Sequence, residues 1–282
     1  MIIGSHVKMS APNYVLGSVE EALSYDANAL MLYTGAPQNS KRVDIEKLKI
    51  AEAKALMEEN HIDINHLIVH APYLINLANA IKPEVIDISK KMLVKEVYRT
   101  SQIGAKYLVL HPGSYTSTDL ETGMTAFIEH VQEIKDELNE SVCICLETMA
   151  GKGTEIGKTF EELAILLEKS KLNNVGICLD TCHIHDAGYD LNDFDSVLDE
   201  FDQIIGLKYL QVIHLNDSKN ERGSHSDRHA NIGEGKIGLD NLLSVAYNKR
   251  LVHIPKILET PYIDGKAPYK DEIKLIRDNK KE

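Results

Sequence analysis

Six apolar runs of this 282-residue chain finish in a histidine or a carboxylate. They read Leu67-Ile68-Val69-His70, Leu108-Val109-Leu110-His111, Cys145-Leu146-Glu147, Cys178-Leu179-Asp180, Val212-Ile213-His214 and Ile257-Leu258-Glu259, with His183 three residues beyond Asp180. Taken singly, each reads as a hydrogen-bonded histidine or a capping carboxylate. Gathered in one place, three imidazoles and three carboxylates would set like charges against one another out of water. Divalent cations remove that cost, and this mixed donor set suits zinc, manganese or iron. A further pair, Asp227 and His229, flanks Arg228. In extended chain, residues two apart point the same way, so this pair is expected to grip one ion while Arg228 faces elsewhere. Gly223, Gly233 and Gly235 let the loop fold back over the rim. Nine candidate ligands result, too many for one ion and suited to three. Ions about 3.5–4 Å apart would clamp an in-line displacement and generate hydroxide near neutral pH. Glu147, in the middle of the set, is the expected bridging ligand and the catalytic residue.

The elements that must position these groups are legible as an alternation. Eight apolar runs, Ile2–Val7, Ala29–Tyr33, His66–His70, Tyr107–His111, Val142–Glu147, Val175–Asp180, Leu210–His214 and Pro255–Glu259, are too continuous for half-solvated strands and read as buried parallel ones. Helix signals lie between them. Ser18-Val19-Glu20-Glu21 and Thr159-Phe160-Glu161-Glu162 fit the capping box, and Pro83 suits a first helical turn. Phe194, Val197, Leu198, Phe201, Ile204 and Ile205 follow helical spacing, with Gly206 as the stop. Asp271–Arg277 gives a weaker final helix. Eight strand–helix alternations predict a (β/α)8 TIM barrel as one domain over residues 1–282, with its site at the C-terminal strand ends. A doubly wound open sheet is the structural alternative. No Gly-x-Gly-x-x-Gly follows the first strand, which weakens a dinucleotide-binding version of it.

Composition excludes other classes. With 43% hydrophobic and 26% charged residues the chain reads as globular. No apolar run approaches the roughly 20 residues that span a bilayer, and the N-terminus lacks a signal-peptide pattern, so a cytoplasmic protein is expected. Four cysteines without a Cys-x-x-Cys pair read as small buried strand residues rather than a thiolate zinc site. The net charge of −12 argues against a general nucleic-acid binder. Three divalent ions would offset half of it and focus positive charge where a phosphate would sit. No heptad pattern appears, so a monomer is expected, with no protein partner.

The ordered segments resemble the endonuclease IV family of apurinic/apyrimidinic (AP) endonucleases. The matching stretches are Leu146-Glu147-Thr148-Met149-Ala150-Gly151, Leu179-Asp180-Thr181-Cys182-His183, His214-Leu215-Asn216-Asp217, Asp227-Arg228-His229 with Gly233-Glu234-Gly235, and Leu258-Glu259-Thr260-Pro261. His70-Ala71-Pro72-Tyr73-Leu74-Ile75-Asn76-Leu77 and His111-Pro112-Gly113 also match. The resemblance covers nearly the whole chain. It implies three zinc ions per chain, with manganese or iron as substitutes. His70, His111 and Glu147 would hold one; Glu147, Asp180, His214 and Glu259 a second; His183, Asp227 and His229 the third. It implies hydrolysis of the phosphodiester 5′ to an abasic site in double-stranded DNA, leaving a 3′-hydroxyl and a 5′-deoxyribose phosphate, and trimming of blocked 3′ ends.

The resemblance also implies DNA contacts. Tyr73 and Leu74 follow His70 and would insert where the lesion is flipped out, which costs little when there is no base to unstack. Gln38 and Asn39, in Gly35-Ala36-Pro37-Gln38-Asn39, match a DNA-contacting loop but equally suit a turn. Arg228 is a candidate phosphate contact or salt-bridge partner. His6 ends the first run and is expected to orient a ligand or a water. His185 could compete with His183 for the same ion, whereas His61, His66, His130, His225 and His253 read as structural or surface residues. Two other classes compete: a divalent-metal sugar isomerase or epimerase on the same barrel, for which His70, His111, Asp227 and His229 are surplus, and a non-catalytic, metal-stabilised DNA-damage binding protein.

Overall fold

A computed structural model of the chain describes residues 1–280. Eight parallel strands close into a barrel: β1 (Ile3–His6), β2 (Ala29–Leu32), β3 (Leu67–His70), β4 (Tyr107–Leu110), β5 (Cys143–Glu147), β6 (Val175–Asp180), β7 (Leu210–His214) and, after two short strands, β10 (Lys256–Leu258). The short strands β8 (Asp217–Ser218) and β9 (His229–Ala230) pair antiparallel in the long loop after β7. The helices are α1 (Tyr14–Ser24), α2 (Ile50–Glu59), α3 (Pro83–Ile103), α4 (Leu120–Ile134), α5 (Phe160–Ser170), α6 (Thr181–Ala187), α7 (Phe194–Ile204), α8 (Leu239–Ala246) and α9 (Tyr269–Asp278). The expected TIM barrel is therefore observed, and the open-sheet alternative falls because β1 pairs with both β2 and β10.

The strands are largely apolar on both faces for a reason. One face packs outward against the helices, and the other fills the barrel. The interior layer is Ala29, Met31, Ile68, Val109, Cys143, Cys145, Cys178, Val212 and Ile257. Three of the four cysteines sit here, and Cys182 is buried nearby in α6. β1 contributes Gly4, whose paired neighbours Ala29 and Ile257 both face inward. A Cβ at Gly4 would lie 1.7 Å from the Ala29 carbonyl oxygen, so no side chain fits there.

Helix ends follow local chemistry, with two corrections. Thr159 caps α5 by accepting from the Glu162 N–H, worth about 1 kcal/mol. The Glu162 carboxylate accepts from Gly157 and Lys158 instead of closing the reciprocal box. Pro83 opens α3, and α7 stops before Gly206, whose φ is 98°. Ser18 is not a cap. It lies inside α1, buried, and its hydroxyl donates to the carbonyls of Lys8 and Tyr14, because α1 starts five residues earlier than the Ser-x-x-Glu pattern suggests.

Candidate metal centre

The period of a strand sets the site. Side chains two apart share a face. Ile68, Val109, Cys145, Cys178, Val212 and Ile257 fill the barrel. Two residues after each come His70, His111, Glu147, Asp180, His214 and Glu259. These six therefore form the next layer up, directly over the apolar core. The same rule places Tyr33 two residues after Met31, and His6 two after Gly4. All eight strands thus contribute one residue to the layer.

Distances within it are short. Glu147 is central: its Oε2 lies 3.2 Å from His70 Nε2 and 3.0 Å from His111 Nε2, and its Oε1 lies 2.9 Å from His214 Nδ1. His214 Nδ1 is also 2.9 Å from Glu259 Oε2 and 3.8 Å from Asp180 Oδ2. His183 Nε2 is 3.1 Å from Asp227 Oδ1. His229 Nε2 lies 3.6 Å from Asp180 Oδ2 and 3.8 Å from Asp227 Oδ1. Three groups have donor atoms mutually within 4.8 Å: His70, His111 and Glu147; Glu147, Asp180, His214 and Glu259; Asp180, His183 and His229. Glu147 is common to the first two and Asp180 to the last two. Asp180 was expected only in the second group, and it stands beside the third as well.

The donor chemistry fits divalent cations. His70, His183 and His229 each direct Nδ1 at a backbone carbonyl, of Ala71 (2.7 Å), Thr148 (2.8 Å) and Glu259 (3.2 Å). An N–H at Nδ1 leaves the Nε2 lone pair facing the centre, the tautomer a cation needs. His229 Nε2 is buried without a hydrogen-bond partner among the described residues. Burial favours a neutral Glu147, yet His214 and His111 outweigh it and hold the carboxyl well below the usual range. Glu259 is depressed likewise, against burial, chiefly by His214. His183 and His214 are raised well above the ordinary imidazole value: burial pulls down, but Asp180 and Asp227 around His183, and Cys178, Glu259 and Glu147 around His214, prevail. These buried carboxylates are thus anionic and seek positive partners.

Several supporting residues escaped the sequence reading. Asn216, fully buried, donates to Asp180 Oδ2 (2.7 Å) and accepts from the Glu259 N–H (2.8 Å). Thr148 accepts from the Asp180 N–H through its hydroxyl. Tyr33, Glu155 and Tyr269 line a cavity of about 410 Å³ above the centre, together with His6 and Tyr73. Glu155 is raised from the usual carboxylate value by burial and by Asp227. The strand parity just described could have found Tyr33; nothing local flags Glu155.

Asp227 Oδ1 comes within 3.8 Å of His229 Nε2 but lies outside the three donor groups, and the extended-chain reason does not hold: Asp227 has φ of 54°, and β9 pairing orients His229. Arg228 is exposed. Tyr73 is 60% exposed over the centre, whereas Leu74 is half-buried against the core. Gln38 and Asn39 are exposed, and the Asn39 side chain accepts from the Lys41 N–H as a turn former does. His6 stands edge-on to Tyr33, its Nε2 buried without a partner among the described residues. His185 faces away, Nε2 at 3.1 Å from the Asn220 carbonyl, which leaves the centre to His183. Among the described residues, no helix is long and apolar enough to cross a membrane.

Barrel and rim together define a xylose isomerase-like TIM barrel, and the model of that family matches residues 19–279. The chain is 51% identical over 281 residues to a probable endonuclease 4 of Acholeplasma laidlawii, covering 99% of this chain and 95% of the relative. Endonuclease IV from Thermus thermophilus superposes with a TM-score of 0.84 at 30% identity, covering 99% and 98% of the two chains. A 3-keto-D-glucoside 4-epimerase from E. coli shares the fold at a TM-score of 0.68 and 13% identity, covering 99% of each chain. The chain belongs to the endonuclease IV family of AP endonucleases.

Proposed function

We propose that this protein is a metal-dependent DNA repair endonuclease. It hydrolyses the phosphodiester 5′ to abasic sites in double-stranded DNA, leaving a 3′-hydroxyl and a 5′-deoxyribose phosphate, and it trims blocked 3′ ends. The observation that carries the reading is the convergence of His70, His111, Glu147, Asp180, His183, His214, His229 and Glu259 into overlapping donor groups with shared carboxylates, with Asp227 placed 3.1 Å from His183 and 3.8 Å from His229. One or two ions would leave part of this set unpaired, which disfavours a sugar epimerase. Three zinc ions, replaceable by manganese or iron, suit it. When bound, such ions polarise a phosphate and bring the pKa of a water molecule near neutrality.

The chain's own residues do the positioning. His70, His111 and Glu147 would hold one ion, Glu147, Asp180, His214 and Glu259 the second, and His183, Asp227 and His229 the third. The backbone carbonyls behind His70, His183 and His229 fix ring orientation, so the centre keeps its shape when a phosphate arrives. Tyr73, with Leu74 at its base, would occupy the gap left by a flipped abasic nucleotide, and the cavity beneath would receive the sugar. Gln38, Asn39 and Arg228 are exposed and would contact the duplex, and His6 would orient a ligand or a water. The enzyme would work as a cytoplasmic monomer.

The test is incubation of the purified chain with a labelled duplex carrying one abasic site, alongside metal analysis. A nick 5′ to the lesion with a 3′-hydroxyl and three zinc ions per chain is expected. A stable uncut complex overturns the enzyme reading.

A further inference from the structure

Two buried carboxylates beside the centre belong to none of its donor groups. Asp217, at the start of β8, is fully buried. Its Oδ2 accepts from the N–H groups of Gly233 (3.1 Å), Gly235 (3.0 Å) and Gly238 (3.3 Å). Its Oδ1 accepts from Ser218 (2.8 Å), Ile237 (3.0 Å) and Gly238 (3.3 Å). Asp186, in α6, is also fully buried. Its Oδ1 accepts from the Ser218 hydroxyl (2.6 Å), and its Oδ2 from the Asn220 amide (3.1 Å) and the Asp227 N–H (2.9 Å). Its backbone carbonyl accepts from the His225 N–H (3.0 Å). Among the described residues neither carboxylate pairs with a lysine, arginine or histidine.

A carboxylate out of water needs a cation or a set of aligned donors. Backbone N–H groups converging on an anion supply the second, as they do around bound phosphates. Here the anion is part of the chain, and apart from the Ser218 N–H the donors to Asp217 come from the segment just after β9. Asp217 therefore draws residues 233–238 back onto β8. The β8–β9 pairing then sets His229 opposite Ser218. Asp186 holds the N–H of Asp227, which carries that residue through its left-handed turn. Gly235 is demanded by the wrap: a Cβ there would lie 2.3 Å from the Ser218 carbonyl oxygen and 2.4 Å from Asp217 Oδ1.

We propose that Asp217 and Asp186 are positioning residues for the third ion: they fold the loop from 217 to 238 into a preformed half-site that presents Asp227 and His229. The proposal rests on the three-ion reading. A loop ordered in advance spares the ion the cost of ordering it, so ion binding there is tight only while the template holds.

The experiment titrates the full chain and its Asp217→Asn variant with Zn2+ against a competing chelator. It also measures amide exchange at Gly233, Gly235, Ile237 and Gly238 in chelator-treated protein. The carboxamide turns one acceptor oxygen into a donor facing donors. The parent chain is expected to take three zinc ions and to protect these amides without metal. Asp217→Asn is expected to lose the protection and to bind the third ion about 10–100-fold more weakly, the other two changing little. Asp186→Asn should weaken the same ion. Should Asp217→Asn fail to fold, Gly235→Ala attacks the same wrap from the other side and should give the same pattern. Unchanged amide protection in the variant overturns the template, as does equal loss of all three ions. Fewer than three zinc ions in the parent chain overturns the three-ion reading instead.

Discussion

The Tyr33 hydroxyl donates to the Tyr73 hydroxyl at 2.7 Å. Tyr33 belongs to the rim layer of the barrel, while Tyr73 stands out over the centre, its ring 5.7 Å from that of His111. The bond ties the most exposed aromatic of the site to its floor. Burial raises the Tyr33 phenol above its ordinary value, and an ordinary phenol is already protonated at neutral pH, so the bond persists.

Truncating the projecting ring should separate binding from chemistry. Tyr73→Ala is expected to weaken affinity for an abasic duplex by about 1–3 kcal/mol, the worth of one stacked base. Turnover of a short model diester should change little. Tyr33→Phe, which removes only the donor, should cost about 1 kcal/mol in the same binding measurement. An equal loss on duplex and diester would sink the wedge role.

Replacing the shared carboxylate should stop the reaction. Glu147 lies within 3.2 Å of three imidazoles, so two ion sites depend on it. Glu147→Gln keeps the shape and removes the charge that two cations would share. Cleavage of the abasic duplex should fall below detection, with zinc content reduced. Turnover retained with a full zinc complement would count against the bridging assignment.

A buried ion pair holds the loop that carries Gln38 and Asn39. Arg42 Nε donates to Glu96 Oε1 at 2.6 Å with both side chains essentially inaccessible, and its Nη1 donates to the carbonyls of Asn39 and Lys41, each at 2.8 Å. Glu96 also accepts from the Thr34 hydroxyl (2.6 Å). Breaking such a pair from one side strands a charge and costs about 3–5 kcal/mol. Glu96→Gln should lower the unfolding midpoint accordingly and expose residues 35–41 to protease. A variant as stable and as resistant as the parent would show that the pair does not anchor the loop.

Lys256 gives a prediction in pH. Its side chain is fully buried, and Nζ donates to the carbonyls of Leu251 (2.5 Å) and Ile254 (2.9 Å). Burial pushes its pKa down from 10.5 to about 8. The folded state therefore releases this proton before the unfolded chain does. The cost of the buried charge is present below pH 8 and fades between about 8 and 10.5, so this contribution to stability grows as pH rises through that window. Relative to Lys256→Met, the parent should gain up to about 3 kcal/mol over that range in denaturant titrations. A difference independent of pH would show that the lysine does not titrate there.

Much of this was legible because strand chemistry is local. A continuous apolar run identifies a buried parallel strand, and its last residue names the group delivered to the rim. His70, His111, Glu147, Asp180, His214 and Glu259 could be picked out in this way, and the ordered motifs named the family. Ser18 misled because a capping pattern of hydroxyl and carboxylate also occurs inside a helix, where the hydroxyl turns back to the Tyr14 carbonyl.

The sequence by itself determined the number of barrel strands, the donor types and their order along the chain. Only the tertiary structure decided which of them share an ion site, because that depends on which strand ends lie across the barrel from one another. His214 reaches Glu147 across 67 residues of chain, and Asp227 reaches His183 across 44. Closure of β1 on β10 also brought Tyr33 and His6 into the same layer, and two buried carboxylates folded the loop that holds Asp227 and His229. The backbone N–H groups that do this carry no sequence signature. Their convergence exists only once the chain has folded.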